Sequence, residues 1–173
     1  MFTKEKILTL LKRLSKELLA QEIHGEILLA GGAVMCLVHS ARDMTMDIDA
    51  LYEPKAIINQ LVNKIALEEN LPANWLNDSV KGFVTTDVPR EDFLMLPGLK
   101  VTKVSDEYLL AMKLMSARYG ETDYEDIRFL LKTLNIADRE SLLNLVMTYY
   151  APDYIVPKTK YLIEQLFDEI NSD

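Results

Sequence analysis

The chain has 173 residues, of which 49% are hydrophobic, enough to build the core of one domain. Its formal net charge of −8 argues against broad, nonspecific binding to nucleic acid, because such binding is driven by basic surface. The sequence has no apolar run of the roughly 18 residues that a membrane-spanning helix needs, and its start does not resemble a signal peptide. We therefore expect a soluble, cytoplasmic protein that has no contact with a membrane.

The first half of the chain predicts helices that alternate with two strands. Hydrophobic periodicity and end signals predict an amphipathic helix over residues 3–22, a strand over 26–30, a short helix over 33–39, a strand over 47–52 and a helix over 54–70. Residues 72–80 predict a short helical connector.

The second half predicts three strands and then only helices. The strands cover residues 82–86, 93–96 and 100–104, and the helices cover residues 105–119, 122–134, 138–150 and 157–171. This order predicts an α+β (α/β) fold in which helices back a mixed β-sheet. We expect a single domain over residues 1–173, with a core at about 25–104 and a helical C-terminal part at about 105–173.

Asp47 and Asp49 stand two residues apart in the second predicted strand. Because successive side chains of a strand point to opposite faces, both carboxylates share one face, while Ile48 points into the core. Neighbouring carboxylates repel unless a cation lies between them, and Mg²⁺ or Mn²⁺ takes such oxygen ligands together with substrate phosphates. The spacing predicts a divalent-metal site, with two exposed acids on an edge strand as the alternative.

Gly31 and Gly32 form a predicted turn between the first strand and the short helix. Glycine accepts a positive φ angle and lets backbone N–H groups approach a polyphosphate. The N-terminus of the following helix favours anions as well. The pair therefore predicts a triphosphate-binding turn, although an ordinary strand-to-helix turn would use the same residues.

These features follow one another in an order known from one enzyme superfamily. The order is an apolar strand, Gly31-Gly32, a short helix, Arg42, Thr45 and then Asp47-Ile48-Asp49. It resembles the DNA polymerase β-like nucleotidyltransferase superfamily, and more narrowly the small bacterial nucleotidyltransferase-like proteins related to the AbiEii and MenT toxins. The narrower resemblance also rests on a group in the later helices, which consists of Lys113, Arg118, Asp123 and Asp126. Together these residues extend the resemblance over about residues 25–135.

The resemblance implies a nucleotidyltransferase-like fold and a metal-dependent transfer of a nucleotidyl group from a nucleoside triphosphate to a hydroxyl acceptor. In that interpretation Asp47 and Asp49 are the catalytic metal ligands, and the nucleotide-binding residues are Gly31, Gly32, Arg42, Thr45 and Lys113. The acceptor would be a tRNA 3′ end, a protein side chain or a small molecule of the antibiotic type. A toxin-like protein would also have a cognate antitoxin protein as its partner.

A third catalytic carboxylate, which the superfamily carries on a later strand, has no clear counterpart in this sequence. The last predicted strand carries Thr102 and Lys103 where an acid is expected, and Asp106 and Glu107 have the pattern of a helix start. A second hypothesis is therefore a catalytically silent nucleotidyltransferase-like module that binds a nucleotide or a protein. For the later group around Lys113, an ion-pair network that joins two helices is the alternative to a nucleotide contact.

Overall fold

The computed structural model describes residues 1–85, 87–116 and 122–170. Their contacts divide the chain into two units. The first consists of Met1–Gly82 with Arg90–Val104, and the second consists of Phe83–Pro89 with Ser105–Asp173. The described residues form seven α-helices, a five-stranded mixed sheet and a separate two-stranded ladder. The predicted mixed α/β architecture is confirmed at this level.

The first unit is built on the five-stranded sheet, whose strand order is β5-β4-β2-β7-β6. Strand β2 lies antiparallel to β4 and parallel to β7, while β5 is parallel to β4 and β6 is antiparallel to β7. The strands are β2 (Gly25–Leu29), β4 (Ile48–Glu53), β5 (Leu76–Asn77), β6 (Arg90–Leu96) and β7 (Leu99–Val104). The two-stranded ladder pairs β1 (Phe2–Thr3) with β3 (Met44–Thr45).

Two helices of the first unit cover one face of its sheet. The helices of this unit are α1 (Lys4–Ala20), α2 (Gly31–Leu37) and α3 (Lys55–Glu68). A methyl group added at Gly25 would meet Leu18 of α1 and Ile58 of α3, so this side of β2 faces both helices. Leu29 shares that side with Gly25 and stands opposite the fully buried Ala50 of β4. Asp49, the neighbour of Ala50, therefore belongs to the opposite face of the sheet.

The segment before β6 differs from the prediction. Residues 72–80 form strand β5 and the start of a 3₁₀ turn (Ser79–Gly82) instead of a helical connector. The cause is the buried Trp75, whose indole N–H donates to the Val62 carbonyl while its own carbonyl accepts from Ile48. These bonds hold the segment at the edge of the sheet.

The predicted strand over residues 82–86 is wrong for its described part, residues 82–85, while Thr86 lies outside the described residues. The backbone groups there bond to side chains instead of to a neighbouring strand. The Thr85 N–H donates to the Tyr108 hydroxyl, and the Phe83 carbonyl accepts from the Tyr150 hydroxyl. A segment held in this way has no ladder partner.

The second unit consists mainly of helices, as predicted. They are α4 (Asp106–Ser116), α5 (Thr122–Thr133), α6 (Arg139–Tyr149) and α7 (Pro157–Ile170). Helix α4 packs against α5, α6 and α7, and seven of its eleven residues are buried. Across the described parts of both units, none of the helices has the length and apolar character needed to cross a membrane.

Candidate functional site

Gly31 and Asp49 are in direct contact at the end of strand β2. Gly31 has a φ angle of +59°, in the left-handed region that favours glycine. A Cβ atom at this position would lie 2.9 Å from the Asp49 Oδ2 atom. The neighbouring Ala30 N–H donates to the Asp49 carbonyl, which ties the turn to strand β4. The absence of a side chain at Gly31 therefore lets the carboxylate lie against the backbone of the turn.

Gly32 faces two polar side chains that the sequence places in the following loop. A Cβ atom at Gly32 would lie 2.7 Å from the Thr45 Oγ1 atom and 3.0 Å from the Arg42 Nη1 atom. Thr45 is held there by strand β3, where it pairs with the buried Phe2. The structure thus brings Arg42 and Thr45 to the glycine turn.

Asp47 is the residue immediately before strand β4. Asp47 and Asp49 are both half-buried and flank the fully buried Ile48, which agrees with the predicted alternation. The Asn77 side-chain amide donates a 3.0 Å hydrogen bond to the Asp47 Oδ2 atom. In the parallel β4–β5 register, Asn77 stands opposite Asp49.

Asn77 is a site residue that no motif of the sequence predicts. It lies on a two-residue strand, and its position depends on the pairing of that strand with β4. The one local sign of its position is that it follows Trp75-Leu76, since the buried Trp75 anchors this segment at the edge of the sheet. An amide that donates to the Asp47 Oδ2 atom fixes the orientation of this carboxylate.

The helix after the glycines begins earlier than predicted. Helix α2 starts at Gly31 itself instead of at residue 33, so both glycines form its first turn. The helix has only seven residues. A helix this short has few aligned peptide dipoles, so its dipole contributes little to anion binding.

Cys36 of α2 is not a candidate nucleophile. The thiol is buried, and burial raises its pKa, an effect that the nearby Arg42 charge only partly opposes. A thiol with a raised pKa stays protonated near neutral pH, and the thiolate is the reactive form.

Lys113 belongs to the second unit and has carboxylate partners of its own. Its Nζ atom lies 2.7 Å from the Asp123 Oδ1 atom and 2.7 Å from the Asp126 Oδ2 atom. Only 5% of the Lys113 side chain and 4% of that of Asp126 are exposed. The three residues join α4 to α5, which favours the ion-pair interpretation. The nucleotide contact of Lys113 stays a prediction, and Arg118 lies outside the described residues.

Strand β7 has no acid on the face that carries Asp49. By register, Thr102 stands opposite Leu28, and Leu28 stands opposite Leu51, which shares the face of Asp49. Lys103 belongs to the other face and pairs with Glu91 at 2.7 Å. Within residues 1–85, 87–116 and 122–170, no three His, Cys, Asp or Glu side chains are grouped so that they could hold a metal ion.

Two carboxylates are nevertheless a suitable protein contribution to a magnesium or manganese site. Such ions commonly bind one or two carboxylates and complete their coordination with water and substrate phosphates. Asp47 and Asp49 are only half-buried, which leaves room for those further ligands. The chemistry of this donor set therefore fits the ion that the sequence predicted.

The comparisons with known proteins identify no relative. No protein-family model, no curated protein and no solved structure matches this chain.

Proposed function

We propose that the chain is a metal-dependent nucleotidyltransferase of the DNA polymerase β-like superfamily, related to the small bacterial toxin-like members. It takes a nucleoside triphosphate with Mg²⁺ or Mn²⁺ and transfers the nucleotidyl group to a hydroxyl acceptor. The observation that supports this proposal is the contact between the Asp49 carboxylate and the left-handed turn at Gly31. A carboxylate held against a glycine turn, whose backbone N–H groups can approach a polyphosphate, is a suitable protein contribution to binding of a metal–triphosphate complex.

Each residue of the site has a distinct role in this proposal. Asp47 and Asp49 would hold the divalent ion, which supplies positive charge against the phosphoryl oxygens when it is bound. Asn77 is a positioning residue, because its amide orients the Asp47 carboxylate. Arg42 donates from its planar guanidinium to a phosphate group, and Thr45 orients the loop that carries it.

The proposed reaction is a substitution at the α-phosphorus. The acceptor oxygen forms the new O–P bond, and the bond between the α-phosphorus and its bridging oxygen breaks. Pyrophosphate leaves with that electron pair, and the hydroxyl proton passes to a carboxylate or to water. Holding the acceptor and the triphosphate in line lowers the activation barrier through orientation alone. Fixed charges beside the reacting phosphate lower the barrier further.

A transfer assay tests the proposed activity. The full chain is incubated with each of the four nucleoside triphosphates, labelled at the α-phosphate, in separate reactions with total tRNA, lysate protein or a small-molecule extract. We expect label in one acceptor fraction and its loss when Asp47→Asn and Asp49→Asn are combined. A tRNA acceptor requires a local basic surface, since the net charge of −8 opposes RNA binding in general.

A catalytically silent module is the second candidate function. The observation that favours it is strand β7, which carries Thr102 on the face of Asp49 where an acid would complete the catalytic set. Such a module binds the metal–triphosphate complex or a partner, such as a cognate antitoxin, without transferring label. Triphosphate binding that depends on Asp47 and Asp49, together with no labelled acceptor in any fraction, would favour this candidate.

A further inference from the structure

A cavity of about 650 Å³ lies in the second unit, between the end of α5 and helix α7. We name it the α5–α7 pocket. Its lining includes Arg128, Leu131, Lys132, Asn135, Ile136 and Phe167. Small-molecule sites in proteins have volumes of roughly 300–1,000 Å³, so the pocket is large enough for a ligand of that class.

The floor of the pocket is apolar. Leu131 and Phe167 are each only 2% exposed, and Ile136 is half-buried beside them. The turn that carries Ile136 is fixed by a hydrogen bond from its N–H to the Leu131 carbonyl. The pocket therefore offers a preformed apolar surface.

Two basic side chains stand at the edge of this floor. Arg128 and Lys132 are four residues apart on α5, and like charges at this spacing repel each other. The Arg128 Nη1 atom lies 3.9 Å from a carboxylate oxygen of Glu169 in α7, and the Lys132 side chain is exposed. Lys132 stands in the last turn of α5, where the helix dipole favours a positive charge. An anion bound between the two side chains would be attracted to both positive charges.

We propose that the α5–α7 pocket binds a small amphipathic anion. Its carboxylate or phosphate group accepts hydrogen bonds from Arg128 and Lys132, and its aliphatic or aromatic body packs on Leu131 and Phe167. Charge-assisted hydrogen bonds of this kind are about twice as strong as neutral ones, and Arg suits planar carboxylates. The lining combines apolar side chains with a small number of polar groups, which is the composition of a site for a small molecule. This site does not depend on the proposed nucleotidyl transfer.

Calorimetric titration of the full chain with four probes tests the proposal. Octanoate and 1-naphthoate carry the anionic group on an aliphatic and an aromatic body, and 1-octanol and 1-naphthol are their neutral counterparts. We expect at least one anion to bind, and its neutral counterpart to bind about tenfold more weakly or worse. The anion that binds more tightly identifies the body that the pocket accepts.

Two variants with the same change in charge distinguish binding in this pocket from general electrostatic attraction between the anion and the protein. Lys132→Gln should weaken binding of the anion about tenfold. Lys158→Gln, at an exposed position of α7 that does not line the pocket, should leave it unchanged. Circular dichroism checks that both variants fold. The proposal is overturned if neither anion binds, if anionic and neutral probes bind equally, or if both variants weaken binding alike.

Discussion

Position 31 requires a residue without a side chain for two reasons, which are its left-handed backbone and the Asp49 carboxylate beside it. A Cβ atom would be strained at a φ angle of +59° and would lie 2.9 Å from the Asp49 Oδ2 atom. We expect Gly31→Ala to lower the free energy of unfolding by about 1–2 kcal/mol and to weaken binding of the metal–triphosphate complex. Urea denaturation measures the change in the free energy of unfolding. Calorimetric titration measures the change in binding.

Gly82→Ala is the matched control for this substitution. A Cβ atom at Gly82 has no heavy atom within 4 Å, and the φ angle there is not positive. Its effect on the free energy of unfolding should stay within about 0.5 kcal/mol. Equal effects of the two alanine variants would contradict the account of the glycine turn.

Asn77 gives a second prediction at the residue scale. Its side-chain amide donates to Asp47, and its Oδ1 atom accepts from the Ser79 N–H. Loss of a group that orients a metal ligand typically weakens metal binding about 10- to 100-fold. We expect Asn77→Ala to lower the affinity for Mg²⁺ with triphosphate by about tenfold, as measured by calorimetry.

The control for Asn77 is Asn74→Ala, because the Asn74 side chain is exposed and only its backbone carbonyl contacts Asn77. This variant should bind Mg²⁺ with triphosphate as the parent chain does. If Asn77→Ala also binds unchanged, Asn77 has no positioning role at the site.

At the scale of elements, α4 and α5 are connected by an ion-pair cluster that consists of Lys113, Asp123 and Asp126. Asp126 is 4% exposed and Asp123 is 30% exposed, although both carboxylates lie 2.7 Å from the Lys113 ammonium. Because Asp126→Asn removes the buried carboxylate and leaves the buried Lys113 ammonium with the more exposed Asp123, it should cost about 3 kcal/mol of stability. Asp123→Asn should cost less than about 1 kcal/mol. Denaturant titration compares the two, and a larger loss in Asp123→Asn would contradict the structural interpretation of the cluster.

Helices α1 and α3 are joined by ion pairs that make stability depend on pH. The pKa of Glu17 is lowered from its ordinary value of 4.5, first by the hydrogen bond from Lys64 and further by Arg13. A carboxyl with a lowered pKa stabilises the folded state above pH 4.5, and this contribution is lost as the pH falls through the folded-state pKa.

We expect Glu17→Gln to lower stability by about 0.5 kcal/mol at neutral pH. The difference from the parent chain should shrink as the pH is lowered below 4.5. Thermal denaturation from neutral pH to pH 3 measures this difference, with Glu22→Gln, at an exposed position just beyond the end of α1, as the control. A difference that grows towards acid pH would have the wrong sign.

An element could be predicted from the sequence when the residues that determine it lie within the element itself. Long amphipathic helices such as α1 carry their pattern locally, and Thr3 caps the start of that helix as such signals predict. Strand β5 has two residues and forms because Trp75 is buried under contacts distant in sequence. Residues 82–85 have the composition of a strand, but their backbone partners are the tyrosine side chains of α4 and the end of α6.

At the scale of the whole molecule, the order of elements predicted a mixed α/β architecture, while the strand order β5-β4-β2-β7-β6 depends on pairings that no local pattern encodes. The sequence also predicted the residues that meet at the glycine turn, because the order of its motifs places Gly31, Gly32, Asp49, Arg42 and Thr45 around one strand end. It could not predict the amide of Asn77 or the partners of Lys113, which depend on packing.

Binding of a metal–triphosphate complex at Asp47 and Asp49 is the central claim, and calorimetry with the full chain tests it most directly. Each nucleoside triphosphate is titrated with Mg²⁺ present and again with the metal chelated. We expect at least one triphosphate to bind only with Mg²⁺, and this binding to disappear in the Asp47→Asn, Asp49→Asn double variant. Unchanged affinity in a folded double variant, or no triphosphate binding to the parent chain, would contradict the claim.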